Sequence, residues 1–167
     1  AMATAINALA ALHPESGFVH ATYEDAVALR PLLTGPRYVW HDVGSKSSQL
    51  NDFERRAGSG AIFVGSGMRE GIDLAGAKAR WQVVTKVNYP YLGDTWNALK
   101  TYMYPVWADA MAAQELKQAV GRVCRGPDDH GVTYVIDSQF PLLLERREGL
   151  FPNWFLQALR WPTKEAS

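Results

Sequence analysis

Two arginines three positions apart, Arg122 and Arg125, stand in the run QELKQAVGRVCRG at Gln114–Gly126 with nothing acidic three or four positions before either. At about 100° per residue, Gln118, Arg122 and Arg125 share one narrow stripe of a helix, with Gln114 beside them. Leu116, Ala119, Val120, Val123 and Cys124 spread over the opposite face, which is expected to pack into a core. A fixed pair of planar cations suits an anion, because each guanidinium fork can hold two phosphate oxygens at once. The same spacing fits a solvated basic face, and spacing alone leaves both readings open. Gly121 costs a helix interior about 1 kcal/mol against Ala, which points to close approach by another backbone or a ligand. Gly126 is expected to end the helix, and Asp128 stands within reach of Arg125.

A second candidate is the loop that follows the apolar run AIFVG: Gly65, Ser66, Gly67, Met68, Arg69, Glu70, Gly71, Ile72 and Asp73. Its backbone amides and Arg69 can meet phosphate or ribose; an ordinary β-to-α connection accounts for the same glycines. The loop has one residue too many for GxGxxG, and no GxxxxGK[ST] occurs in the chain. A third candidate is Gly17–Tyr23, with Thr22 near its end. Neither HExxH, GxSxG nor CxxC is present. The one cysteine, Cys124, excludes an internal disulfide and a cysteine-based metal site, and on the apolar face it reads as a small core residue. The four histidines lack metal-ligand spacing, so no metal is expected on this chain. The six tryptophans read as core and rim rather than a base-stacking platform.

These residues need a frame. Strands are expected at Gly17–Ala21, Tyr38–His41, Ala61–Gly65, Trp81–Val87 and Val132–Ile136. Helices are expected at Thr4–Leu12, from Thr22 (as N-cap, with Asp25 closing a capping box) to Leu32-Leu33, at Lys46–Ala57, over Thr95–Ala112 with a break at Pro105, and at Gln114–Gly126. Two further helical segments, Phe140–Arg146 and Pro152–Leu159, complete the pattern. Apolar strands alternating with helices argue for a parallel α/β sheet covered on both faces. In such sheets ligands bind beyond the carboxyl ends of the strands, where all three candidates lie. With 167 residues, 47% hydrophobic, one domain is expected over 1–167. A formal net charge of zero provides no long-range basic field, so nucleic acid would have to meet a local patch. No apolar run approaches the ~18 residues of a membrane span, and the Ala-rich start lacks the basic region of a signal peptide. A cytoplasmic location is expected, with no membrane partner.

Set side by side, these stretches resemble the second RecA-like domain of superfamily 2 helicases of the XPD/DinG type. QAVGRVCRG resembles motif VI (Q-x-x-G-R-x-x-R), and GSGMREGIDLAG resembles motif V, where an E-G-I-D core follows a strand. GFVHATYEDAVAL resembles the opening strand and helix, motif IV, and VTYVIDSQF the strand after motif VI. The resemblance covers about Gly17 to Leu159. It implies a RecA-like sheet of the P-loop NTPase type without a P-loop of its own. The ATP and Mg²⁺ would come with an N-terminal RecA-like domain. By position, Arg125 is the arginine finger, Arg122 its partner on the phosphates, and Gln118 a coupling residue between cleft and nucleic acid. Gly71 and Asp73 would face the nucleotide, while Thr22, Ser66 and Gly67 would lie toward single-stranded DNA. Met68-Arg69 stands where an aromatic often precedes the Glu, which leaves the role of Arg69 open. Two alternatives stand beside the motor domain. One is a non-motor nucleic-acid-binding or regulatory RecA-like domain; the other is a structural domain whose arginines pair with Asp128 and Asp129.

Overall fold

A computed structural model of the chain describes residues 1–41, 46–56, 58–66, 74, 76–124, 126 and 128–161. The elements run α1 (Met2–Leu12), β1 (Gly17–Ala21), α2 (Tyr23–Leu29), β2 (Tyr38–Trp40), α3 (Lys46–Arg55), β3 (Ile62–Ser66), β4 (Trp81–Val84), α4 (Thr95–Met103), α5 (Trp107–Val120), β5 (Val132–Val135), α6 (Gln139–Arg147) and α7 (Asn153–Ala158). The five strands form one sheet in the order β2-β3-β1-β4-β5, and every pairing is parallel. Gly17 is level with both Ile62 and Trp81, so β1, β3 and β4 start together, and with Ala21 level with Ser66 and His20 with Val84 they end within one residue of each other at the carboxyl edge.

Alternation along the strands sorts the core into two sides. Val19, Ile62, Val64, Trp81 and Val83 pack with Ile6 and Ala10 of α1 and Leu29 of α2. Phe18 and Phe63 face the other way, onto Phe53 of α3, and Val84 meets Ala112, Ala113 and Leu116 of α5 together with Phe140 of α6 and Phe155 of α7. Helices therefore cover both faces, and the central strands are buried on both sides, as their continuous apolar character requires. Trp81, fully buried, donates its indole N–H to the Glu15 carbonyl at 3.1 Å and stacks on His13. Its ring lies where a Cβ on Gly17 would come within 2.2 Å, so only glycine fits there. Arg37 donates to the carbonyls of Ala10, His13, Glu15 and Gly60, which ties the end of α1 to the approach to β3. By contrast, α4 buries none of its residues and leaves Trp96, Tyr102 and Met103 exposed.

The expected break at Pro105 separates α4 from α5. Several expectations need correction; α2, expected to reach Leu32-Leu33, ends at Leu29. The helix carrying the arginine motif stops at Val120 rather than Gly126: Gly121 is its C-cap, and Arg122 lies in the turn beyond. The interior glycine thus terminates the helix instead of interrupting it. Cys124 is exposed, because the chain has left the helical register before it, while Val123 remains buried. Strand β4 ends at Val84 rather than Val87, because the Val87 amide turns to the Asp137 carboxylate at 2.7 Å.

Candidate functional site

The carboxyl ends of β1, β3 and β4 open into a cleft of about 530 Å³. Its walls come from the strand ends (His20, Gly65, Val84), the loops after β1 and β4 (Thr22, Thr85, Lys86, Asn88), Tyr23 at the start of α2, and the end of α5 (Glu115, Gln118) with Arg122 in the turn beyond it. Thr22 is held by a complete capping box: its hydroxyl accepts from the Asp25 amide at 3.1 Å, and the Asp25 carboxylate faces the Thr22 amide at 3.4 Å. The same carboxylate lies 2.9 Å from the Thr85 hydroxyl, which also sits 3.1 Å from the His20 carbonyl. The loops after β1 and β4 are thereby fastened to each other at the cleft mouth.

Below them runs a buried polar relay. Gln82, fully buried on β4, donates from Nε2 to the Ala119 carbonyl at 2.7 Å and lies 2.8 Å from the Thr133 hydroxyl. Its Oε1 is 2.8 Å from His20 Nε2. A carbonyl only accepts, so the amide orientation is settled by Ala119, and the His20 proton is assigned to Nε2. Burial lowers the His20 pKa to about 4; the Gln82 hydrogen bond opposes that shift and the nearby positive charge of Arg122 reinforces it. Near neutral pH the cleft thus holds an uncharged imidazole beside the cations of Arg122 and Lys86 and the carboxylate of Glu115.

Of the residues expected at the site, Thr22, Gln118 and Arg122 meet in this cleft. Ser66 ends β3 level with Ala21, so it and Thr22 leave neighbouring strand ends. Arg125, Gly67, Gly71 and Asp73 lie outside the described residues, as does Arg69. Of the two aspartates offered as structural partners for the arginines, Asp129 accepts from Arg80 at 2.7 Å and from the Gly76 amide at 3.3 Å. Sequence reading included His20 only within the candidate stretch Gly17–Tyr23, and did not find Gln82, Thr85 or Lys86. The signal for His20 and Gln82 was present: each is the polar residue interrupting an apolar strand, GFVHA and WQVV. Among the described residues no group of three His, Cys, Asp or Glu side chains is placed to hold a metal ion.

The family model described as the helicase C-terminal domain matches residues 12–158. The chain belongs to the helicase C-terminal domain family. Among curated relatives, the regulator of telomere elongation helicase 1 homolog of Aedes aegypti is 27% identical over 127 residues, covering 66% of this chain and 13% of that protein. The human regulator of telomere elongation helicase 1 is 26% identical over 150 residues, covering 76% of this chain and 12% of that protein. This helicase C-terminal domain therefore spans about an eighth of the length of the relatives it matches. An XPD helicase structure superposes with a TM-score of 0.70 at 17% identity, over 95% of this chain and 30% of that one. The C-terminal domain of the DEAD-box protein Dbp5 superposes at 0.57 and 16% identity, over 89% and 77%. Those likenesses show the RecA-like fold that the motif resemblance implied.

Proposed function

We propose that this domain is the second motor half of an ATP-dependent DNA helicase, completing an ATP site whose P-loop and Mg²⁺ ligands belong to an N-terminal RecA-like domain. The observation that carries the reading is the meeting of Gln118, Arg122 and Thr22 in one cleft at the carboxyl edge of the sheet. The lining suits the phosphate end of a nucleotide: Arg122 and Lys86 offer positive charge, Gln118 a carboxamide and Thr85 a hydroxyl. Bound ATP would supply the phosphoryl group. This chain would supply positioning and charge stabilisation, with Arg125 as the arginine finger and Arg122 beside it on the phosphates. Gly71 and Asp73 would face the nucleotide. Ser66, Gly67 and Thr22 would contact single-stranded DNA through its backbone, so sequence preference would be low.

The test uses the protein containing both RecA-like domains. Arg125→Ala should lower ATP turnover by roughly two orders of magnitude or more, the scale of a lost arginine finger, while binding of a fluorescent ATP analogue survives. Arg122→Ala should also lower turnover. Unchanged turnover in both variants would defeat the assignment. If single-stranded DNA binding with steep salt dependence were then the sole activity found, the domain would be a non-motor nucleic-acid-binding module.

A further inference from the structure

We propose that Gln82 is a positioning residue that sets the place of the Gly121–Arg122 turn, an inference that rests on the reading of Arg122 as a phosphate contact. Gln82 lies on β4, between β1 and β5, with no solvent exposure, flanked by Trp81 and Val83 in a strand otherwise apolar. A buried carboxamide is costly unless its groups find partners. Here it has three: His20 Nε2 on β1, Thr133 Oγ1 on β5 and the Ala119 carbonyl in the last turn of α5. A valine, as at positions 83 and 84, would fill a strand without that demand.

The third partner gives the carboxamide its effect. The Ala119 oxygen also accepts the backbone N–H of Arg122 at 3.1 Å, while the Gly121 N–H goes to Lys117. One oxygen therefore receives both the sheet's amide and the amide of the arginine itself. Helix ends leave carbonyls without intrahelical donors, and such ends fray unless something holds them. Gln82 holds this one from beneath, and through it the last turn of α5 takes its height from β4. A phosphate contact displaced by about 1 Å can lose on the order of 100-fold in rate, so a fixed height for the turn matters to the chemistry proposed for Arg122. His20 joins the same carboxamide on its other side and lines the cleft, so one side chain links β1, β4 and α5 there.

Gln82→Met keeps nearly the same buried volume and removes all three hydrogen bonds. In the protein with both RecA-like domains, kcat for ATP hydrolysis should fall at least about 10-fold with little change in KM, the pattern of lost positioning. In the 167-residue chain, amide hydrogen exchange at Gly121 and Arg122 should accelerate at least about 10-fold, while the amides of the β1–β3 ladder keep their protection. A residue that only fills the core would leave both readouts unmoved, and that result overturns the proposal. If the variant does not fold, the wild-type chain decides. Gln82 side-chain amide protons that exchange slowly and show nuclear Overhauser contacts to Ala119 and Thr133 support the role; fast exchange overturns it. Should Arg122→Ala leave turnover unchanged, the functional reading fails on its own, while the exchange experiment still scores the link from Gln82 to the turn.

Discussion

His20 enters the cleft as a neutral ring held by one carboxamide, and its titration is the most direct residue-scale check on that geometry. Folding lowers its pKa from 6.5 to about 4, so between those values the unfolded chain binds more protons than the folded one. Stability from this group is complete above pH 6.5 and is lost as pH falls toward 4. Two-dimensional NMR of the imidazole should give a midpoint near 4; a midpoint near the unperturbed value would mean that the ring is solvated and the relay to Gln82 open. Replacing His20 with Phe removes the titration, so denaturant midpoints of wild type and variant should diverge as pH is lowered through that window. Arg122, close enough to disfavour the imidazolium, reports in the opposite sense: Arg122→Ala should raise the His20 midpoint.

At the scale of elements, helix α5 is anchored at both ends by polar contacts to other parts of the chain. Its carboxyl end rests on Gln82. Near its amino end, Asp109 is buried and accepts from Arg146 and Arg147 of α6, with closest contacts of 2.9 Å to each. The hydrogen bond from Arg146 is the largest cause holding the Asp109 pKa below 3.8, and burial opposes it. A depressed carboxyl pKa stabilises the fold above the unfolded value and loses that contribution as pH falls through the folded value. Asp109→Asn should therefore be less stable than wild type at neutral pH, with the gap closing below about pH 3.8 in urea titrations. A constant gap across that range would show that the carboxylate does not bridge α5 to α6. Much of this frame was legible in the sequence. The capping box at Thr22 and Asp25 and the β1 boundaries follow from local chemistry that neighbouring residues carry themselves. The end of α5 was not legible, because Gly121 is compatible with a helix interior and with a C-cap. The choice depends on bonds to Lys117 and Ala119 and on a glutamine 37 positions away.

The whole molecule is half of a proposed machine, and its sheet edge shows what that half contributes. Three parallel strands end within one residue of each other, and the arginine-bearing turn is brought to the same edge by α5. The 167-residue sequence contains no P-loop. Alone, the chain should therefore show no ATP hydrolysis above background in a phosphate-release assay; mixing with an N-terminal RecA-like domain that carries a P-loop should restore turnover. Hydrolysis by the purified chain, lost with Arg122→Ala, would place a complete catalytic site within it and contradict the division of labour.

Cys124 is the single sulfhydryl in 167 residues, exposed two positions past Arg122. A dye attached there would sit on the segment joining α5 to β5, against the Asp129 carbonyl that Cys124 Sγ approaches at 3.3 Å. Its emission would report whether the segment that follows Arg122 shifts when nucleotide is added, without any second label on this half of the enzyme.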